Sequence, residues 1–187
     1  MIIYIHGFGG SGEGVKASLF REYFKKKEKR FIAPTLSYTP KLAILTLKEL
    51  IDSFNEDIYL IGSSLGGYYA IYLSQIKKVK RVVLINPSTK PTKTLKRSLG
   101  LGLNFYDNSH FEWNISHLNS LKEFKTKEIN KEKFFLLLQK DDEIINYKKA
   151  KKQFSGAKMV IESGGGHSFE GIERYFSEIE EFFYPLK

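Results

Sequence analysis

Short apolar runs rich in Ile, Val, Phe and Leu punctuate the chain: MIIYI (1–5), RFIAPTL (30–36), DIYLIG (57–62), RVVLIN (81–86), KFFLLLQ (133–139) and AKMVIES (157–163). Each is long enough for a strand and too short for a helix, and none alternates with polar residues. The pattern predicts strands buried on both faces. Between them lie segments with helical spacing, such as Leu47, Leu50, Ile51 and Phe54, or Ile172, Tyr175, Phe176, Ile179 and Phe183. Strands alternating with helices predict an α/β fold, with about six mostly parallel strands covered by helices on both faces.

One stretch breaks the rhythm. Residues 88–125 carry several breakers, the only Trp and two of the four His, and are too long for a simple connection. Long connections in compact domains tend to be lids or binding loops, so this span is read as a lid inserted into a single domain covering 1–187. Phe105, Tyr106, Phe111 and Trp113 within it would suit an apolar substrate pocket.

Composition narrows the classes without choosing among them. The 187 residues are enough for one sizeable core, and cysteine is absent, which excludes disulfides, thiolate metal sites and cysteine nucleophiles and fits a reducing cytoplasm. No signal peptide is visible, and no apolar run approaches the roughly 20 residues of a membrane span. The net charge of +9 comes mainly from lysines scattered as in FKKKEKR and YKKAKKQF, the pattern of solvated helix faces. Without a concentrated basic stripe or interleaved aromatics, no specific nucleic-acid partner is expected. Oligomeric state is not encoded in any of these patterns.

Candidate chemistry stands after the strands, where open parallel sheets bind ligands. Gly7-Phe8-Gly9-Gly10-Ser11-Gly12 matches the dinucleotide fingerprint G-x-G-x-x-G. The second strand, however, ends in APTLSY without the acid that would hold a ribose, and Glu13 stands where a phosphate loop needs lysine. After the third run comes Gly62-Ser63-Ser64-Leu65-Gly66, a G-x-S-x-G set where strand should turn into helix. Such a turn presents a serine nucleophile and needs glycine on both sides of it. His167 follows Gly164-Gly165-Gly166 after the last strand, where it can reach over the sheet as a base; His6 is better placed to brace the first loop. Asp141, Asp142 and Glu143 follow the fifth run, and chemistry alone leaves the acid open among them. Serine, acid, histidine is the chain order of a minimal α/β-hydrolase. The first glycine-rich loop then becomes the oxyanion loop, with backbone N–H donors expected from Phe8 and Leu65.

YIHGF, GSSLGGYYA, NPS, DDEIINY and GGGHSFEGIERYF together resemble small bacterial serine esterases of the YqiA/YcfP type, within the α/β-hydrolase superfamily. The resemblance spans nearly the whole chain and implies Ser64 as nucleophile, His167 as base and Asp142 as the acid. It implies hydrolysis of small-molecule carboxylic esters or acyl thioesters with no cofactor and no metal. The loop HGFGGSGEG is richer in glycine than the Asn/Ser/Pro-containing version of that group. Lys90, Lys93, Lys96 and Arg97 are candidate contacts for an anionic leaving group. The competing reading is a hydrolase fold that binds without turnover.

Overall fold

A computed structural model describes residues 1–185, so the last two positions of the expected domain span lie outside the described residues. The six apolar runs form one parallel sheet in the order β2-β1-β3-β4-β7-β8. Its strands are β1 (Ile2–Ile5), β2 (Phe31–Ile32), β3 (Ile58–Ser63), β4 (Val79–Ile85), β7 (Phe134–Gln139) and β8 (Lys158–Glu162). Successive side chains of a strand point to opposite faces, and both faces are buried here. Ile2 and Tyr4 join one apolar layer, with α1 (Val15–Lys26) and α7 (Phe176–Phe183). Ile3 and Ile5 join the other, with α2 (Pro40–Asp52), α3 (Leu65–Leu73) and α6 (Tyr147–Gln153). That double burial is why the strands read as unbroken apolar runs.

β2 is much shorter than the run RFIAPTL suggests. Pro34 has no N–H for the ladder, and Thr35 turns its hydroxyl to the first loop instead, lying 3.1 Å from Ser11 Oγ and accepting the Gly12 N–H at 3.0 Å. The predicted helices hold, although Phe54 falls beyond the end of α2 and Ile172 opens a short 3₁₀ turn before α7.

The inserted stretch is folded rather than irregular. It contains α4 (Pro91–Thr94), an antiparallel hairpin of β5 (Gly100–Leu103) and β6 (His110–Trp113), and α5 (Ile115–Ser120). Trp113 and Leu121 are fully buried in the same layer as α2 and α3, and the Trp113 indole N–H donates to Leu95 O. Each such side chain contributes about 1.5–3 kcal/mol by burial, so the inserted stretch is anchored to the body. No helix among the described residues is long and apolar enough to cross a membrane.

Candidate active site

The chain turns from β1 to β2 on one side of the sheet and then crosses to β3 on the other. β1 and β3 are neighbours, and the crevice outside their carboxyl ends is where ligands bind in such sheets. The loop after β1 and the β3–α3 turn meet there.

Ser64 sits on that turn with φ 54° and ψ −117°, a conformation that costs about 1–3 kcal/mol for a residue other than glycine. Its backbone is held from three sides. Its N–H donates to Ile85 O at 3.1 Å, and its carbonyl accepts from Gly67 N at 3.0 Å and Ser88 N at 2.9 Å. The flanking glycines are required by close approach: a Cβ on Gly62 would stand 2.6 Å from Gly66 O, and one on Gly66 would stand 2.0 Å from Ile5 O.

His167 reaches Ser64 from the loop after β8, its Nε2 lying 2.9 Å from Ser64 Oγ. On the other side of the ring, Nδ1 lies 2.9 Å from Asp142 Oδ2 and 3.0 Å from Oδ1. The Asp142 side chain is 1% exposed. Its Oδ1 also accepts the N–H groups of Ile144 at 2.9 Å and Ile145 at 2.7 Å, which fix the carboxylate in place. Asp141 is exposed on the same turn, away from this line. Of the three acids, Asp142 is the one in contact with the imidazole. Glu143 instead accepts the His167 backbone N–H at 3.0 Å; its own N–H and that of His167 hold its carboxyl below the usual range.

Two buried amides carry the His167 loop; Asn86 opens the NPS motif without a role being assigned to it, and Gln139 did not stand out in the sequence. Asn86, at the end of β4, donates to Gly166 O and accepts the Gln139 N–H. Gln139, at the end of β7, accepts from Gly166 N and Glu170 N and donates to Glu162 and Glu170 O. Gly165, at φ +69°, passes so close that a Cβ there would lie 2.0 Å from Gln139 Oε1. A polar residue ending an otherwise apolar strand was the available signal.

The loop after β1 closes with a Gly10 N–H to Gly7 O bond. His6 braces it: Nε2 accepts the Leu36 N–H at 2.9 Å, so the proton is on Nδ1, which donates to Gly7 O at 2.8 Å. Burial, the main cause, lowers the His6 pKa. Among the described residues, the Phe8 N–H has no protein acceptor. Leu65 begins α3, where the first N–H groups have no helical partner. Phe8 and Leu65 both line a cleft of about 20 Å³ with Tyr38 and Phe111, barely more room than one water molecule needs. Phe8 packs edge-on against Phe111 and Trp113, and Tyr38 stacks on Phe111.

The aromatics expected to form a pocket do not come together in one place. Phe105 and Tyr106 are 70% and 57% exposed at the hairpin tip, where the Phe105 N–H donates to Gly9 O. Trp113 is wholly buried behind Phe8 and has no surface to offer a ligand. Only Phe111 of that group lines the cleft. No group of three or more His, Asp or Glu side chains fit to hold a metal occurs among the described residues.

Residues 1–184 match the model of a family described as "Uncharacterised protein family (UPF0227)". The chain belongs to that family. A UPF0227 protein of Vibrio campbellii (strain ATCC BAA-1116) is 26% identical over 187 residues, covering 97% of this chain and 98% of that protein. UPF0227 protein YcfP of Escherichia coli O9:H4 (strain HS) is 21% identical over 188 residues, with the same coverage. Among solved structures, mouse alpha/beta hydrolase domain-containing protein 10 superposes with a TM-score of 0.78 at 18% identity, covering 100% of this chain and 90% of that one. Est1E from Butyrivibrio proteoclasticus, solved with ferulic acid, gives 0.72 at 18% identity, covering 97% and 87%. The UPF0227 chain therefore has the α/β-hydrolase fold.

Proposed function

We propose that this UPF0227 protein is a serine hydrolase cleaving small carboxylic esters or acyl thioesters through an acyl-enzyme. The observation that carries the reading is the unbroken hydrogen-bonded line Ser64 Oγ to His167 Nε2 and His167 Nδ1 to Asp142. In this scheme Ser64 Oγ attacks the acyl carbonyl while its proton passes to His167 Nε2. Asp142 keeps the Nδ1 proton in place and stabilises the imidazolium. The N–H groups of Phe8 and Leu65 donate to the oxyanion; such donors are each worth about 10²–10³ in kcat. Collapse breaks the bond to the alkoxide or thiolate, which leaves with the proton from His167. Water then attacks the acyl-serine, gives its proton to His167, and the acid departs as Ser64 recovers its own. The scheme needs no cofactor. A cysteine-free chain suits a reducing cytoplasm as its setting, and the names of esterases among the structural neighbours accord with the chemistry.

Covalent labelling with a fluorophosphonate probe, read by intact mass, tests the reading. One adduct is expected on wild type and none on Ser64→Ala. Asp142→Asn should keep the fold and lose roughly 10⁴ in kcat on an acetate ester. A folded wild-type protein that takes no label would favour a binding protein without turnover.

A further inference from the structure

Behind α3 lies a cavity of about 560 Å³ that the scheme above does not use. That volume is in the range of small-molecule sites. Leu65 and Tyr69 line the cleft beside the oxyanion loop, whereas Tyr68 and Ile71, on another face of the same helix, line this cavity. Its rim carries Lys90, Lys93, Lys122, Lys125, Lys127 and Lys131, and no Asp or Glu lines it. Among the described residues, none of these six ammonium groups forms an ion pair with a carboxylate.

Six like charges around one concavity oppose the fold unless an anion joins them. A second feature points the same way. Only two buried side-chain oxygens among the described residues lack a hydrogen-bond partner, and one of them, Thr126 Oγ1, belongs to a residue of the cavity lining and lies just beneath its surface; the other, Ser88 Oγ, is outside the lining. Native proteins rarely leave such groups unpaired without a ligand or water to meet them. Ile71, Ile129 and the Tyr68 ring give the cavity an apolar floor.

We propose that this cavity binds a small molecule bearing two or more phosphates, the lysines holding the phosphates and the apolar floor its uncharged part. Flexible ammonium groups suit phosphate oxygens as point charges, and several of them suit more than one phosphate. The site refines the expected basic cluster: Lys90 and Lys93 belong to it, whereas Lys96 and Arg97 are not on its wall. Its chemistry fits either the leaving group of an acyl substrate or a separate ligand. Thr89 of the lining follows Ser88, whose N–H donates to the backbone carbonyl of Ser64.

Calorimetric titration with tripolyphosphate at physiological salt tests the site. Saturable one-to-one binding is expected, weakened about tenfold or more in Lys122→Gln/Lys125→Gln/Lys127→Gln. A charge-matched control, Lys25→Gln/Lys26→Gln/Lys27→Gln at the end of α1, should bind as wild type does. Equal weakening in both variants would assign the affinity to diffuse net charge and overturn the proposal, as would no saturable binding. All positions are exposed, and melting curves without ligand check that each variant folds. Ser64→Ala should bind unchanged, which separates this site from the hydrolase reading. Adding tripolyphosphate to acetate-ester assays then identifies the source. Competitive inhibition marks a leaving-group subsite and unaltered turnover marks a separate ligand; either upholds the site.

Discussion

Ser64 and His6 show what single residues contribute and how far each can be read. The glycines around Ser64 announce a sharp turn in the sequence, because only glycine fits 2.0–2.6 Å from a neighbouring carbonyl oxygen. His6 stands in YIHGF, where a brace for the first loop was expected, but the partner that fixes it is thirty residues away, the Leu36 N–H. That bond requires neutral imidazole, and burial opposes the cation as well, so the folded pKa lies below that of the unfolded chain. The unfolded chain therefore takes up a proton near pH 6.5 while the fold does not. The stability tied to neutral His6 is complete above that pH. It falls below it by up to about 1.4 kcal/mol per pH unit, until folded His6 itself titrates. Urea unfolding at pH 7.5 and pH 5.5 should show a larger acid-side loss in wild type than in His6→Gln. Equal losses would remove His6 from the account.

At the scale of elements, the strands of the main sheet were legible because each is apolar on both faces, and a run of apolar residues needs no partner to be recognised. The two strands inside the inserted stretch were not. HFEW alternates polar and apolar residues over four positions only, and GLGL has Leu101 73% exposed and glycines that read as breakers. They become strands only by pairing with each other and by Trp113 entering the core. The loop bearing His167 is similar: its glycines were visible, but the amides that hold it belong to the ends of β4 and β7. Gln139 makes four side-chain hydrogen bonds to that region, and Gln139→Leu would leave the Gly166 and Glu170 N–H groups without their acceptor. The expected result is a loss of about 1–3 kcal/mol in stability. A displaced His167 should also lower kcat on an acetate ester about 10²-fold, with KM little changed. A fall in melting temperature with kcat intact would make Gln139 a purely structural residue.

At the scale of the whole molecule, the cleft beside the β1 loop is assembled from parts distant in the chain. Phe8 comes from the loop after β1, Tyr38 from the approach to α2 and Phe111 from the lid, and the sequence shows aromatics without showing which of them meet. Of the aromatics expected at a pocket, Phe105 and Tyr106 stand exposed at the hairpin tip and Trp113 lies in the core, so none of the three lines this cleft. The assembled cleft holds only about 20 Å³, and the Phe105 N–H bond to Gly9 O ties the β5–β6 hairpin to the loop that borders it. An acyl chain longer than a few carbons would have to displace Phe111, breaking its contacts with Phe8 and Tyr38. The proposed hydrolase should therefore prefer acetyl over octanoyl p-nitrophenyl esters in kcat/KM. Each added methylene that finds no room forfeits about 0.8 kcal/mol of burial, even before the cost of strain. Phe111→Ala removes the ring from the cleft and should shift the preference toward longer chains, while Ser64 labelling by a small fluorophosphonate stays intact. A wild-type enzyme that favours octanoate would show that the lid opens in solution, and Phe111→Ala would then leave chain-length selectivity unchanged.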